Sequence, residues 1–134
     1  MTPLHALLAF TAWTLLLVAA VLAYRGLRLL QGSPINAWPR GEKNAGDATV
    51  MKRISDAHAN CLENLLPFAA IVLSAHAMGR IDAIAALAPW VFYARIGQSL
   101  AHLSGTGQPH VLVRVSFFAV QLALFVCMLV RLFA

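Results

Sequence analysis

Four apolar stretches, separated by polar or glycine- and proline-rich segments, organise the chain. The first, residues 3–24, is almost wholly hydrophobic. A helix rises 1.5 Å per residue, so about 20 such residues cross a hydrocarbon core of about 30 Å. Arg25 and Arg28 follow one helical turn apart, and residues 25–49 gather Gly, Pro, Asn and charge, which marks a loop. Asp47 or Thr49 can cap a second helix over 50–78. A short turn with Gly79, Arg80 and Asp82 leads to a third span over 81–103. The segment Ser104-Gly105-Thr106-Gly107-Gln108-Pro109-His110 leads to a fourth over 111–133. The pattern predicts an all-α membrane protein, a single four-transmembrane-helix bundle.

The second span carries the most information. Its continuous apolar run, Leu65 to Met78, covers only about 21 Å, so Asn60, Glu63 and Asn64 are brought into or close to the membrane. Pro67 is tolerated in such a helix and can bend it. At about 100° per residue, Arg53, Asp56, Asn60, Glu63, Asn64 and Pro67 fall within one arc of about 100°, while His58 and Cys61 point elsewhere. Arg95, Gln98, Ser99 and His102 cluster in the same way on the third span. Arg114 and Gln121 share a face of the fourth. Ionisable groups at membrane depth normally face a bundle interior or a watery cavity. Single members of such a set can serve only to bridge helices. Convergence from three spans at one membrane side predicts a polar cavity instead.

Composition sharpens this. Of 134 residues, 60% are hydrophobic and 11% charged, and mean hydropathy is +0.75. Soluble domains carry about a quarter charged residues, and disordered chains need low hydrophobicity, so both classes are excluded. The net charge of +5 is not spread as a nucleic-acid-binding stripe. Six of the ten basic residues (Arg25, Arg28, Arg40, Lys43, Lys52, Arg53) fall between the first apolar stretch and the apolar run of the second span. That bias predicts a cytoplasmic first loop, non-cytoplasmic termini and a polar cluster toward the cytoplasm. The first stretch lacks a basic n-region and a clear cleavage site, and is expected to be a retained span. Cys61 and Cys127 lie in separate apolar segments without redox or metal spacing. The histidines lack ligand spacing, so no metal is expected. No nucleophile–base pattern or phosphate-binding glycine loop occurs.

Such a cavity offers arginine forks for carboxylates, Glu63 for an ammonium group and amides for peptide-like groups. A small zwitterionic peptide with extra negative charge suits it. Arginine beside a thiol also favours the thiolate, and the bilayer would deliver an apolar electrophile.

The segment Arg53 to Phe68, RISDAHANCLENLLPF, resembles the signature of the MAPEG family, the membrane-associated proteins in eicosanoid and glutathione metabolism. Its microsomal glutathione transferase-like branch is the most similar. Tyr24-Arg25 with Arg28, Ala94-Arg95-Ile96, Gln108-Pro109 with Arg114, and Ser116-Phe117-Phe118 support the resemblance over about residues 20–120. It implies a homotrimer with glutathione, as co-substrate, held between neighbouring subunits near the cytoplasmic face. Carried over by position, Arg28, Arg53, Asn60, Glu63, Gln98 and His102 are expected to bind glutathione or support its site. Arg114 is expected to stabilise the thiolate. Asp56 and Ala59 stand where several eicosanoid-branch relatives are basic, and His102 stands where tyrosine is common. These departures point away from a specialised leukotriene or prostaglandin synthase.

The expected function is therefore a membrane glutathione transferase of a detoxification type. It would conjugate lipophilic electrophiles, with glutathione peroxidase activity on lipid hydroperoxides as an extension, in a bacterial inner membrane. One alternative is a non-catalytic membrane lipid-binding protein of the same fold. Another is a four-span multidrug exporter, which would need a carboxylate in the first span, where this chain has none.

Overall fold

The computed structural model describes residues 1–39, 44–105 and 107–134. Arg40 and Lys43, two of the basic residues of the expected first loop, lie outside the described residues, as does Thr106. Four long helices dominate: α1 (Pro3–Leu30), α2 (Thr49–Ala77), α3 (Ala88–Ser104) and α4 (Gln108–Phe133). No strand occurs among the described residues. In the bundle α1 packs chiefly on α2 and α3 on α4, and α3 also touches α1 and α2.

Local chemistry sets the helix ends. Thr2 accepts a hydrogen bond from the His5 backbone N–H at 3.3 Å, and Pro3 occupies the first turn of α1, where its missing N–H costs nothing. α1 runs beyond Tyr24 to Leu30, so Arg25 and Arg28 stand on its last two turns. Gly32, at φ 93°, then takes the left-handed conformation that closes the helix. Ser33 N–H donates to the Arg28 carbonyl and Gly32 N–H to that of Leu29, both at 3.0 Å. α2 ends the same way. Gly79 has φ 67°, and Arg80 N–H reaches the Ala75 carbonyl at 2.8 Å, a Schellman closure.

The third segment is divided where its composition suggests continuity. Residues Ile81–Ile84 form a 3-10 turn, and α3 begins only at Ala88, with Pro89 in its first turn. Proline fits the first turn of a helix, where its missing N–H costs nothing. α3 is consequently 17 residues long, or about 25 Å.

A stack of phenylalanines forms the centre. Phe10 of α1 and Phe125 of α4 lie on either side of Phe68 of α2, with ring centroids 6.0 and 6.2 Å away. Cys61, Phe68, Val72 and Ala75 line the inward face of α2 and are fully buried. At the end away from the first loop, Arg80 donates to the Leu132 carbonyl at 2.8 Å and the Arg131 carbonyl at 3.3 Å. Arg131 in turn donates to the Ala83 carbonyl at 3.3 Å.

Large apolar side chains also cover much of the outside of the bundle. α1 and α4, 28 and 26 residues long, have mean hydropathies of 2.4 and 2.2 over their most apolar stretches, long and apolar enough to cross a membrane. Leu8, Leu15, Leu16 and Leu22 on α1, and Leu122, Val126 and Val130 on α4, are exposed. A continuous apolar surface of that kind suits lipid rather than water. The all-helical, four-helix membrane architecture expected from the hydrophobic pattern is the one observed.

Candidate functional site

At the end of the bundle that carries the first loop, the polar interruptions of α2, α3 and α4 come together. Asn60 of α2, Gln98 of α3 and Arg114 of α4 line a pocket of about 180 Å³, with Val115 and Phe118 completing its wall. Three residues singled out separately by helical spacing thus share one concavity. The Arg114 Nε is buried without a hydrogen-bond partner among the described residues.

Close approach of α3 and α4 makes the pocket possible. Gly97 faces the Phe117 ring so tightly that an added Cβ would lie 2.5 Å from it. One residue on, the Gln121 side-chain NH2 donates to Gln98 Oε1 at 2.8 Å. Gln121 is 0% exposed and Gln98 3%.

The other expected site residues do not line this pocket. Arg53, at the start of α2, donates to the Leu103 carbonyl at 3.1 Å and so ties α2 to the last turn of α3. His102 Nε2 lies 3.8 Å from the Asp56 carboxylate, an ion pair when the imidazole is protonated. Arg28, on the last turn of α1, lies against Gly46 of the loop and not on the pocket wall. Glu63 is exposed on the flank of the bundle. Asn64 is buried, donating from Nδ2 to the Asn60 carbonyl at 3.2 Å. Within the chain the polar arc of α2 is therefore split. Asn64 turns inward, Asn60 meets the pocket, and Glu63 and Pro67 look outward among exposed Leu62 and Leu66.

The loop after α1 folds back over that helix. Trp38 Nε1 donates to both carboxylate oxygens of Asp47, at 3.1 and 2.9 Å, and the Arg25 guanidinium lies 5.5 Å from the Trp38 ring centroid. The Ala48 N–H donates to the Tyr24 hydroxyl at 3.0 Å.

A second polar cluster lies deeper. Arg95 is 1% exposed, and its guanidinium sits 5.4 Å from the Phe10 ring centroid. Trp13 Nε1 donates to Ser99 Oγ at 3.1 Å, and Ser99 Oγ lies 3.8 Å from Cys61 Sγ. Helical spacing places Arg95 and Ser99 on the polar arc of α3, but the tie to Trp13 across 86 residues has no local signature. Among the described residues no group of three or more His, Cys, Asp or Glu could hold a metal ion.

Searches of curated proteins and of solved structures each found no match to this chain. The family model of the MAPEG family does match, over residues 3–134. That range takes in every helix and all three residues that meet in the pocket, and the chain accordingly belongs to the MAPEG family of membrane proteins of glutathione and eicosanoid metabolism.

Proposed function

We propose that the protein is an integral-membrane glutathione transferase that holds glutathione as its thiolate and conjugates it to lipophilic electrophiles. The observation that carries this reading is the meeting of Asn60, Gln98 and Arg114, from three helices, in one pocket beside apolar surface. A guanidinium in a partly desolvated wall favours an adjacent anion more than it would in water. Arg114 is the residue assigned to the sulfur. The thiol proton leaves to water, the thiolate sulfur bonds to the electrophilic carbon, and the leaving group departs with the electron pair of the broken bond. With a lipid hydroperoxide, two glutathione molecules yield the disulfide, the alcohol and water.

Glutathione carries two carboxylates and an ammonium group. Arg28, Arg53 and His102 supply positive or donor groups for the former, and Glu63 suits the latter. In a single chain none of these lines the pocket, and Glu63 stands among exposed leucines. A carboxylate on such a flank favours a protein neighbour or water over lipid, which supports a homotrimer with the ligand between copies. The basic bias of the first loop supports a cytoplasmic position for this end, with both termini on the other side. The residues expected to bind glutathione are thus Arg28, Arg53, Asn60, Glu63, Gln98 and His102.

Detergent-purified protein titrated with glutathione should develop thiolate absorbance in the ultraviolet and should conjugate chlorodinitrobenzene with release of chloride. Arg114→Ala should lower kcat by about 10²-fold while changing glutathione affinity far less, the signature of a contact made most strongly in the transition state. No heat of glutathione binding by calorimetry would overturn the reading. A second reading, a lipid-binding protein without catalysis, draws on the apolar groove of about 290 Å³ between α2 and α4, lined by Ile71, Met78, Leu129 and Phe133 among others. Lipid binding without thiolate absorbance would favour it.

A further inference from the structure

We infer that Gln121, a residue outside the pocket, is a positioning residue that fixes the Gln98 amide with its NH2 end toward the pocket, making Gln98 a second donor beside Arg114 to one electron-rich group of the ligand. This rests on the glutathione reading above for the identity of the ligand, but not for the arrangement of the two amides.

The argument starts from a carbonyl. Gln121 Nε2 lies 3.3 Å from the backbone oxygen of Phe117, one turn back on α4, and 2.8 Å from Gln98 Oε1. A backbone carbonyl only accepts, so the end of the Gln121 amide beside it must be the NH2. That NH2 has a second hydrogen, which points to Gln98. A donor there requires Gln98 to present its oxygen in return. The orientation of one amide thus dictates the other, and the NH2 of Gln98 is left for the pocket that Gln98 lines with Asn60 and Arg114. Reversing either amide would set donor against donor or acceptor against acceptor.

The cost of the arrangement argues that it serves the pocket. Gln121 is 0% exposed, and its own Oε1 has no partner among the described residues. A buried unpaired acceptor is unfavourable, and an apolar side chain of similar size would avoid it. Gln121 does not line the pocket. Its effect on a ligand therefore passes through Gln98. With the NH2 of Gln98 and the guanidinium of Arg114 both donating, that wall of the pocket suits a thiolate or a carboxylate and disfavours an ammonium group.

Gln121→Leu and Gln121→Met test this, each measured by thermal unfolding, glutathione titration and titration with S-methylglutathione, which cannot form a thiolate. Both variants remove the unpaired Gln121 oxygen but leave Gln98 Oε1 without its donor, so they should unfold close to the wild-type temperature. They should nonetheless bind glutathione about tenfold more weakly, the loss expected when a donor to a charged group is no longer held in place. If glutathione binding falls and S-methylglutathione binding does not, the acceptor is the sulfur. If both fall together, it is a carboxylate. Wild-type affinity and wild-type thiolate absorbance in both variants would overturn the inference. A ligand-free readout separates it from the functional reading: the side-chain amide resonances of Gln98, assigned with Gln98→Met, should shift when Gln121 is replaced. If they shift while wild-type protein fails to bind glutathione, the amide lock stands and the glutathione reading falls. Unshifted resonances overturn the lock whatever the protein binds.

Discussion

Gly97 sets how close α3 and α4 come, and the pocket depends on that distance. A Cβ at this position would meet the Phe117 ring at 2.5 Å, inside any ordinary contact distance. Alanine in a helix is otherwise favoured over glycine by about 1 kcal/mol. The two effects oppose each other, and the neighbour decides which wins. In the wild-type background Gly97→Ala should be destabilising, by about 1–3 kcal/mol if the ring cannot swing clear. With Phe117→Leu, which removes the ring atoms in the way, the same change should become neutral or stabilising. A double-mutant cycle by thermal unfolding checks the coupling, and purely additive effects would refute it. Residue types and helical spacing brought Asn60, Gln98 and Arg114 to notice, because amides and arginines in apolar runs stand out. The distance between them, and Gln121 as the partner of Gln98, arise from long-range packing that a repeat of 3.6 residues does not encode.

At the scale of elements, legibility follows how local the determinants are. α1 and α4 are plain from their unbroken apolar length. The start of α3 is not, because Ile81 to Leu87 is as apolar as the helix after it; only Pro89 marks the boundary. The polar arc of α2 is legible as an arc, while its division into inward Asn64 and outward Glu63 depends on which neighbours cover each side. The loop after α1 has composition but no periodicity, and its fold rests on particular pairs. Trp38 donates to Asp47 and lies beside the Arg25 guanidinium. Trp38→Phe keeps a ring beside the arginine and removes the donor. It should lower stability by about 1 kcal/mol and speed amide hydrogen exchange around Asp47 and Ala48, leaving the centre of α2 unchanged. Equal acceleration throughout the bundle would contradict a local role for the pair.

The whole molecule has two dissimilar ends. One gathers the pocket, the loop and the ties from Arg53 to Leu103 and from His102 to Asp56. At the other, Arg80 and Arg131 donate to backbone carbonyls, so that the turn after α2 and the end of α4 hold each other. Cations at a helix C-terminus also meet its negative dipole end. Arg80→Ala should cost about 1 kcal/mol and fray the last turn of α4, seen as faster exchange near Leu132, with glutathione affinity unchanged. A loss of affinity as large as that of a pocket substitution would show that the two ends are coupled.

The paired arginines have a mechanical consequence. In a bundle pinned at one rim, any tilt of a helix produces displacement that grows along its length and is greatest at the far end. Here the far end carries Asn60, Gln98 and Arg114. A tilt of α4 about the pinned rim would change the reach from Arg114 to Asn60 more than it would disturb the phenylalanine stack midway along the helices, and the Gln121–Gln98 hydrogen bond and the Gly97–Phe117 contact are what oppose it.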